Sequence, residues 1–377
     1  MTVNLRHVRT LYNLYHGGKP LDYIFFDNSK WNPWIKYFYD LIFQIHFNHF
    51  LEFTVTFIQY YWIWPLAIQD IQTNGIYNLY WITLIFSYNL INVYIIYGLW
   101  HYFTYSIDDY HDAIKTLKDY KFNPINQYEG EEGKITLYRE IFYTTLGVLH
   151  SAALQCLVLI GYTQGKIHFY EDFWTYPIFS IGGLMLMTYW RAVHFYLAHR
   201  VMHPYGWWSR RHSDLKGTIW PYLDLGQFLY TYVHSLHHKS YNPGPWSGLS
   251  MHWFEHFVYY SCAWLPLLYT SHPLHFLYAI VHCNISPLLG HDSYSISSNG
   301  FHWLHHHLFE CNYGGRFFPV DSLMGTQIDY EDWIAAGKGS LKKTKIYLEE
   351  KAKLKVTAPN LSTEEQQRIA RSKSLND

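Results

Sequence analysis

The sequence predicts an all-α integral membrane protein: a transmembrane helix bundle of about four to six hydrophobic segments, with a cytosolic-side helical cap that holds a histidine-rich di-metal site. Three observations predict it. Runs of Ile, Leu, Phe, Tyr and Trp long enough to cross a bilayer recur along the 377 residues. Charged residues make up 15% while aromatics reach 20%, and the near-zero mean hydropathy reflects Tyr, Trp and His, amphipathic side chains that suit a membrane interface. Fifteen of the 25 histidines fall between His199 and His306. A net charge of −1 offers no basic field, so no nucleic acid partner is expected. Cys156, Cys262, Cys283 and Cys311 form no CxxC pair, so neither a disulfide framework nor a zinc finger is expected.

Taken in order, residues 1–20 carry Arg6, Arg9 and Lys19 and no acid, and read as an interfacial arm without the apolar core of a signal peptide. Residues 38–66 and 76–105 are near-continuous apolar and aromatic runs, with Asp40 near the start of the first and Glu52 inside it. Residues 107–140 are polar and read as a solvent-exposed connection. Runs at 141–163 and 174–198, separated by little more than GKIHFYED, suit an antiparallel helix pair whose second member continues into His199 and His203. Residues 254–271 and 273–290, split by Pro273, are barely long enough to cross and suit either a re-entrant hairpin or two spans. Residues 338–377 hold ten Lys or Arg and five acids, a soluble tail that the positive-inside rule places in the cytosol. The expected organisation is a membrane and interfacial region (1–140), a catalytic domain (141–333) and a charged tail (334–377).

The chemistry lies in three clusters: HRVMH (199–203), HSLHH (234–238) and HWLHH (302–306). Helix residues three and four apart share a face, so each cluster is expected to be a plate of imidazoles pointing one way. Imidazole is the commonest nitrogen ligand for transition metals. His199, His203, His234, His237, His238, His302, His305 and His306 are thus eight candidate ligands, enough for two metals. A lone histidine such as His46, His101 or His168 is better read as a hydrogen-bonded core or interface residue. HRVMH lacks the general-base Glu of a zinc hydrolase, which puts that reading last.

The ordered boxes, together with HSLHHKSYNPGPWSGLSMHWFEH (234–256) and HWLHHHLFECNYGGRFFPVDSLMGT (302–326), resemble the fatty acid hydroxylase/sterol desaturase superfamily of membrane di-metal oxygenases over residues 150–326. The resemblance implies two iron ions, with zinc as an alternative in isolated protein, held by the eight box histidines as the catalytic site. It further implies one or two added ligands between the second and third boxes, with His291 the first choice and His282 the second. His252 and His256 are expected to be supporting residues near the site. Carboxylates that orient the imidazoles are sought in Asp292, Glu255 and Asp321.

Removing hydrogen from an unactivated alkyl carbon requires oxidising power that no side chain supplies. The resemblance therefore implies dioxygen-dependent hydroxylation or desaturation of a lipid in the bilayer, a sterol first. By the same resemblance, electrons would come from a reductase or a b5-type cytochrome, and the endoplasmic reticulum is the expected location, with the mitochondrial inner membrane as the alternative. A structural, catalytically silent subunit of a membrane complex is the second hypothesis. One departure from the family pattern is the 30-residue interval between His203 and His234, an expected lid, donor dock or partner surface that includes Arg210 and Arg211.

Overall fold

A computed structural model describes residues 49–106, 122, 126–204, 224–293, 300–315, 318–339 and 343–350. The expectations for the N-terminal arm, for most of the 107–125 connection, for Arg210 and Arg211 with the bulk of the interval around them, and for residues 351–377 lie outside the described residues.

Within them the protein is helical, with no strand and one isolated bridge between Phe169 and Ser271. Helix α1 (Phe50–Ile58) runs through a π-helical turn (Gln59–Ile63) into α2 (Trp64–Asn74), and α3 (Leu79–His101) follows after Gly75, whose φ of 89° permits the reversal. The Asn78 side chain caps α3 by accepting from the Tyr80 N–H. Helix α4 (Gly130–Thr163) is next, then α5 (Pro177–Val201), α6 (Leu225–Tyr232), α7 (Trp253–Tyr260), α8 (Pro273–His291), α9 (Phe301–Leu308), α10 (Val320–Met324) and α11 (Tyr330–Ala335).

Two of these helices are long and apolar enough to cross a membrane: α3 with its π-helical extension, Leu79–Ser106, and α4. Ile91, Ile95 and Leu99 on α3 and Ile135, Phe142 and Leu157 on α4 point outward and exposed, the pattern of helices that meet lipid on one side. Their inner faces carry polar side chains that bond to one another across the helices. Gln155 donates to Asn89 at 2.9 Å, Asn284 to Ser151 at 3.2 Å and Tyr260 to Asn284 at 2.7 Å, stitching α3, α4, α7 and α8 together in an apolar interior.

Several boundaries differ from expectation. The polar connection ends early because α4 begins at Gly130, and Glu140, read as solvent-exposed, is fully buried and accepts from Tyr128 and Ser240. Helices α4 and α5 do not form the expected pair: α4 packs along α3, and α5 packs along α8. Residues 254–271 are not one continuous helix, and they pack against α8. They form the eight-residue α7 and a seven-residue 3₁₀ segment (Ser261–Leu267) around Pro266, each far short of about 30 Å of hydrocarbon. Helix α8 is 19 residues long but buried on every side, from Pro273 through His291, so its apolarity serves a protein core.

Candidate metal centre

Four elements converge on one point. The last turn of α5 delivers His199, and His203 follows just beyond the helix end. A short 3₁₀ helix (His234–Lys239) delivers His234, His237 and His238. The C-terminus of α8 brings His291, and α9 brings His302, His305 and His306. All nine are buried, none more than 6% exposed.

They do not form three plates. His199, His203, His234, His238 and His305 make one group of ligand atoms, and His237, His291, His302 and His306 make a second, the atoms of each lying within 4.8 Å of one another. The groups adjoin, with the His238 and His306 ring centroids 4.8 Å apart and those of His302 and His305 at 5.1 Å. The second and third boxes are therefore each divided between two positions. The reason is angular. Consecutive helical residues diverge by about 100°, so His305 and His306 cannot aim at one point, whereas His302 and His306, four apart, can. In the tighter second box, His234 and His238 likewise go one way and His237 the other.

Hydrogen bonds orient the rings. Carbonyl oxygens only accept, so the Nδ1–H of His199 donates to Tyr313 (2.6 Å), that of His305 to Cys311 (2.6 Å) and that of His291 to Pro287 (2.7 Å). His234 Nδ1 donates to the Glu255 carboxylate at 2.7 Å. Each of these bonds leaves a bare lone pair on Nε2. Short Nε2 contacts link His234 to His238 (3.0 Å), His238 to His305 (3.2 Å) and His237 to His291 (3.2 Å), and in His199 and His234, 2.9 Å apart, two of these lone pairs face each other.

Such contacts between proton-free nitrogens repel unless a cation lies among them, and metal–nitrogen bonds of about 2.0–2.1 Å place neighbouring ligands on the order of 3 Å apart. The second group adds a further sign. Both ring nitrogens of His302 and of His306 are buried without any hydrogen-bond partner, a state that is costly for a polar atom and that coordination relieves. Burial, then the neighbouring imidazoles, hold the pKa of His302 and His306 well below the ordinary histidine value, which keeps them neutral as metal ligands must be. The donor set fits an imidazole-bound pair of transition ions.

The remaining candidates separate. Glu255 contacts His234 directly. Asp321 acts one link further out: it accepts from the backbone N–H groups of Tyr313 (2.8 Å) and Gly314 (2.7 Å) and so holds the loop whose carbonyl orients His199. Asp292 lies next to His291 at the end of α8. Its carboxylate accepts from the Trp100 indole at 3.0 Å, tying α8 to α3. His252 caps α7, and His256 donates to the Leu249 carbonyl at 3.0 Å; both stand outside the two groups.

His282 is also outside them. Nine residues before His291 on the same helix is about two and a half turns, which turns its ring to the opposite side. It meets His49 and Glu52 instead. The carbonyls of Cys311 and Tyr313 were not foreseen; the ECNYG run after the third box was the available signal, but a backbone acceptor carries no residue signature. A narrow cavity reaches His199, His234 and His237, walled by Phe195, Met202, Met251 and Tyr259, with room on the order of one water.

An all-helical fold with two candidate membrane helices, closed over two adjoining histidine groups able to hold metal, is the class to which this protein belongs. Residues 184–326, less than half of the chain, match the fatty acid hydroxylase family model, and this segment is similar to sterol desaturases. Among similar proteins, the Delta(7)-sterol 5(6)-desaturase ERG3A of Gibberella zeae is 28% identical over 118 residues, 29% of this chain and 33% of that protein. ERG3B of the same organism is 32% identical over 132 residues, 30% of this chain and 38% of that protein. The Delta(7)-sterol-C5(6)-desaturase of Nicotiana tabacum is 28% identical over 126 residues, 30% of this chain and 46% of that protein. The chain thus spans between a third and a half of the length of these relatives. No solved structure matches it.

Proposed function

We propose that this protein is a membrane-bound di-iron oxygenase that hydroxylates or desaturates a lipid, a sterol before a sphingolipid or fatty acid. The observation that carries the reading is the convergence of nine buried imidazoles into two adjoining groups, the ring nitrogens of each group gathered within 4.8 Å. His199, His203, His234, His238 and His305 would hold one ion, and His237, His291, His302 and His306 the other. When bound, two irons supply dioxygen activation and the oxidising power for C–H removal.

The chain's own residues do the rest. Tyr313, Cys311 and Pro287 lock three rings through backbone carbonyls, and Glu255 locks a fourth. The apolar wall of Phe195, Met202, Met251 and Tyr259 excludes water from the face of His199 and His237 and offers a hydrocarbon surface to substrate. Met202 and Met251 have unbranched, adaptable side chains, so their rotation is the natural way to widen the cavity for a lipid. The sterol preference rests on the three relatives, all of them sterol desaturases. We further propose residues 141–333 as the catalytic domain, a b5-type cytochrome or reductase as electron donor, and the endoplasmic reticulum membrane as the location, with the mitochondrial inner membrane as the alternative.

The test is lipid profiling of a deletion strain together with turnover by purified protein supplied with dioxygen and a reductase. Accumulation of one sterol, its conversion in vitro and loss of conversion in His237→Ala are the expected results. An unchanged lipid profile with stoichiometric recovery of the protein in a large complex would overturn the enzymatic reading in favour of a structural subunit.

A further inference from the structure

A third group of metal-ligating side chains lies away from the central histidines. His49, Glu52 and His282 bring three ligand atoms within 4.8 Å of one another, with Glu52 and His282 both 2% exposed. His49 is the residue on which α1 begins and Glu52 lies three positions on, so both project from the same side of that helix end. His282 reaches them from the middle of α8. Its Nδ1 is 3.2 Å from Glu52 Oε1, while His49 Nδ1 contacts Glu52 Oε2, so each carboxylate oxygen faces a different imidazole nitrogen.

The rings are held in place from outside. Tyr278 stacks on His282 at 5.6 Å between centroids and on Phe53 at 4.6 Å, and the His49 and His282 rings meet edge to face at 4.7 Å. This is a braced set of two imidazoles and one carboxylate in an apolar bundle. A buried carboxylate there requires a counter-charge. Two neutral imidazoles and a carboxylate are also the three-ligand set by which proteins hold zinc or ferrous iron while leaving further coordination positions open.

We infer that His49, Glu52 and His282 form a separate site for a single divalent transition-metal ion, with zinc as the probe. The site clasps the start of α1 to α8, the helix whose far end delivers His291 to the central groups. It lies roughly 13 Å along α8 from His291 and on the opposite side of that helix, so it is independent of the central pair.

The experiment is elemental analysis of the purified full-length chain loaded with zinc, for the unaltered protein, Glu52→Gln, His282→Ala and His305→Ala. Glu52→Gln and His282→Ala are expected each to lose about one ion per chain while keeping the central ions. His305→Ala is expected to lose central metal and keep the outer ion. Equal metal content in Glu52→Gln and the unaltered protein would overturn the site and assign the triad's counter-charge to a proton. Should those variants fail to fold, zinc-edge anomalous scattering from crystals of the unaltered protein decides the matter: a peak among the three side chains supports the site, and its absence beside a filled central group refutes it. Absence of central metal with an outer peak would instead count against the proposed oxygenase and leave this site standing.

Discussion

The two halves of the histidine centre differ in how the protein supports them. In the five-histidine group, three rings are held by acceptors from three separate places: Tyr313 for His199, Glu255 for His234 and Cys311 for His305. In the four-histidine group the Pro287 carbonyl accepts from His291 and the Ser250 backbone contacts His237, while His302 and His306 have no partner on either nitrogen. The first group is ordered by the fold itself, whereas the second depends on what it coordinates. A ring oriented by protein stays poised when metal leaves; a ring with two orphaned nitrogens is costly until metal returns.

The largest expected effects break each half in turn. His305→Ala leaves four imidazoles in its group and His302→Ala leaves three. Both variants should reduce lipid turnover below detection and lose about one ion per chain, with His302→Ala retaining less of its group's metal at a given free concentration. Metal analysis and product assay side by side check this. Full metal and turnover in either variant would remove that histidine from the ligand set. Next comes the support. Glu255→Ala should weaken metal binding in the five-histidine group on the order of 10–100-fold while the other group keeps its ion. Glu255→Gln, which retains an acceptor for His234 Nδ1, should restore most of the affinity; failure of that rescue would show that charge, not orientation, is the contribution.

The contrast between the halves also shows what could be read from sequence. The eight box histidines were legible because their spacing is covalent. His291 was reachable only through the family resemblance. The division of each box was not legible, since a plate of imidazoles three and four apart looks the same whether it serves one point or two, and the roughly 100° between His305 and His306 matters only once both targets exist. The acceptors split the same way. Glu255 has a side chain that announces itself, whereas Tyr313 and Cys311 act through backbone oxygens that every residue carries. For the fold, apolar runs located the helices but could not separate lipid from protein as the neighbour. Helix α8 shows why, because a helix buried on nearly every side is as apolar as one in a bilayer.

Two glycines sharpen the comparison at the level of packing. A Cβ on Gly226 would lie 2.1 Å from the His203 carbonyl oxygen, beside the five-histidine group. A Cβ on Gly248 would lie 2.6 Å from the Pro287 carbonyl oxygen, the acceptor that orients His291. Both obstacles are backbone, so each alanine variant should cost about 3 kcal/mol, the upper part of the overpacking range. Thermal unfolding with metal analysis separates them: Gly226→Ala should lower occupancy of the first group and Gly248→Ala that of the second. An equal loss from both groups in both variants would mean that the halves are one mechanical unit.

The smallest effect tests how far outward the support extends. Asp321 holds the N–H groups of Tyr313 and Gly314 on its two oxygens and also accepts from Thr326 at 2.8 Å. Asp321→Asn keeps the shape but turns an amide N–H₂ toward one of the two backbone donors, so one bond is lost and two donors face each other. The cost should be about 1 kcal/mol, read as a small fall in the unfolding midpoint. Metal affinity should fall only severalfold and only in the five-histidine group, because the Tyr313 carbonyl remains available to His199 even when its loop loosens. A fall as large as that of Glu255→Ala would place the loop, and not the carboxylate beside His234, at the centre of that group's rigidity.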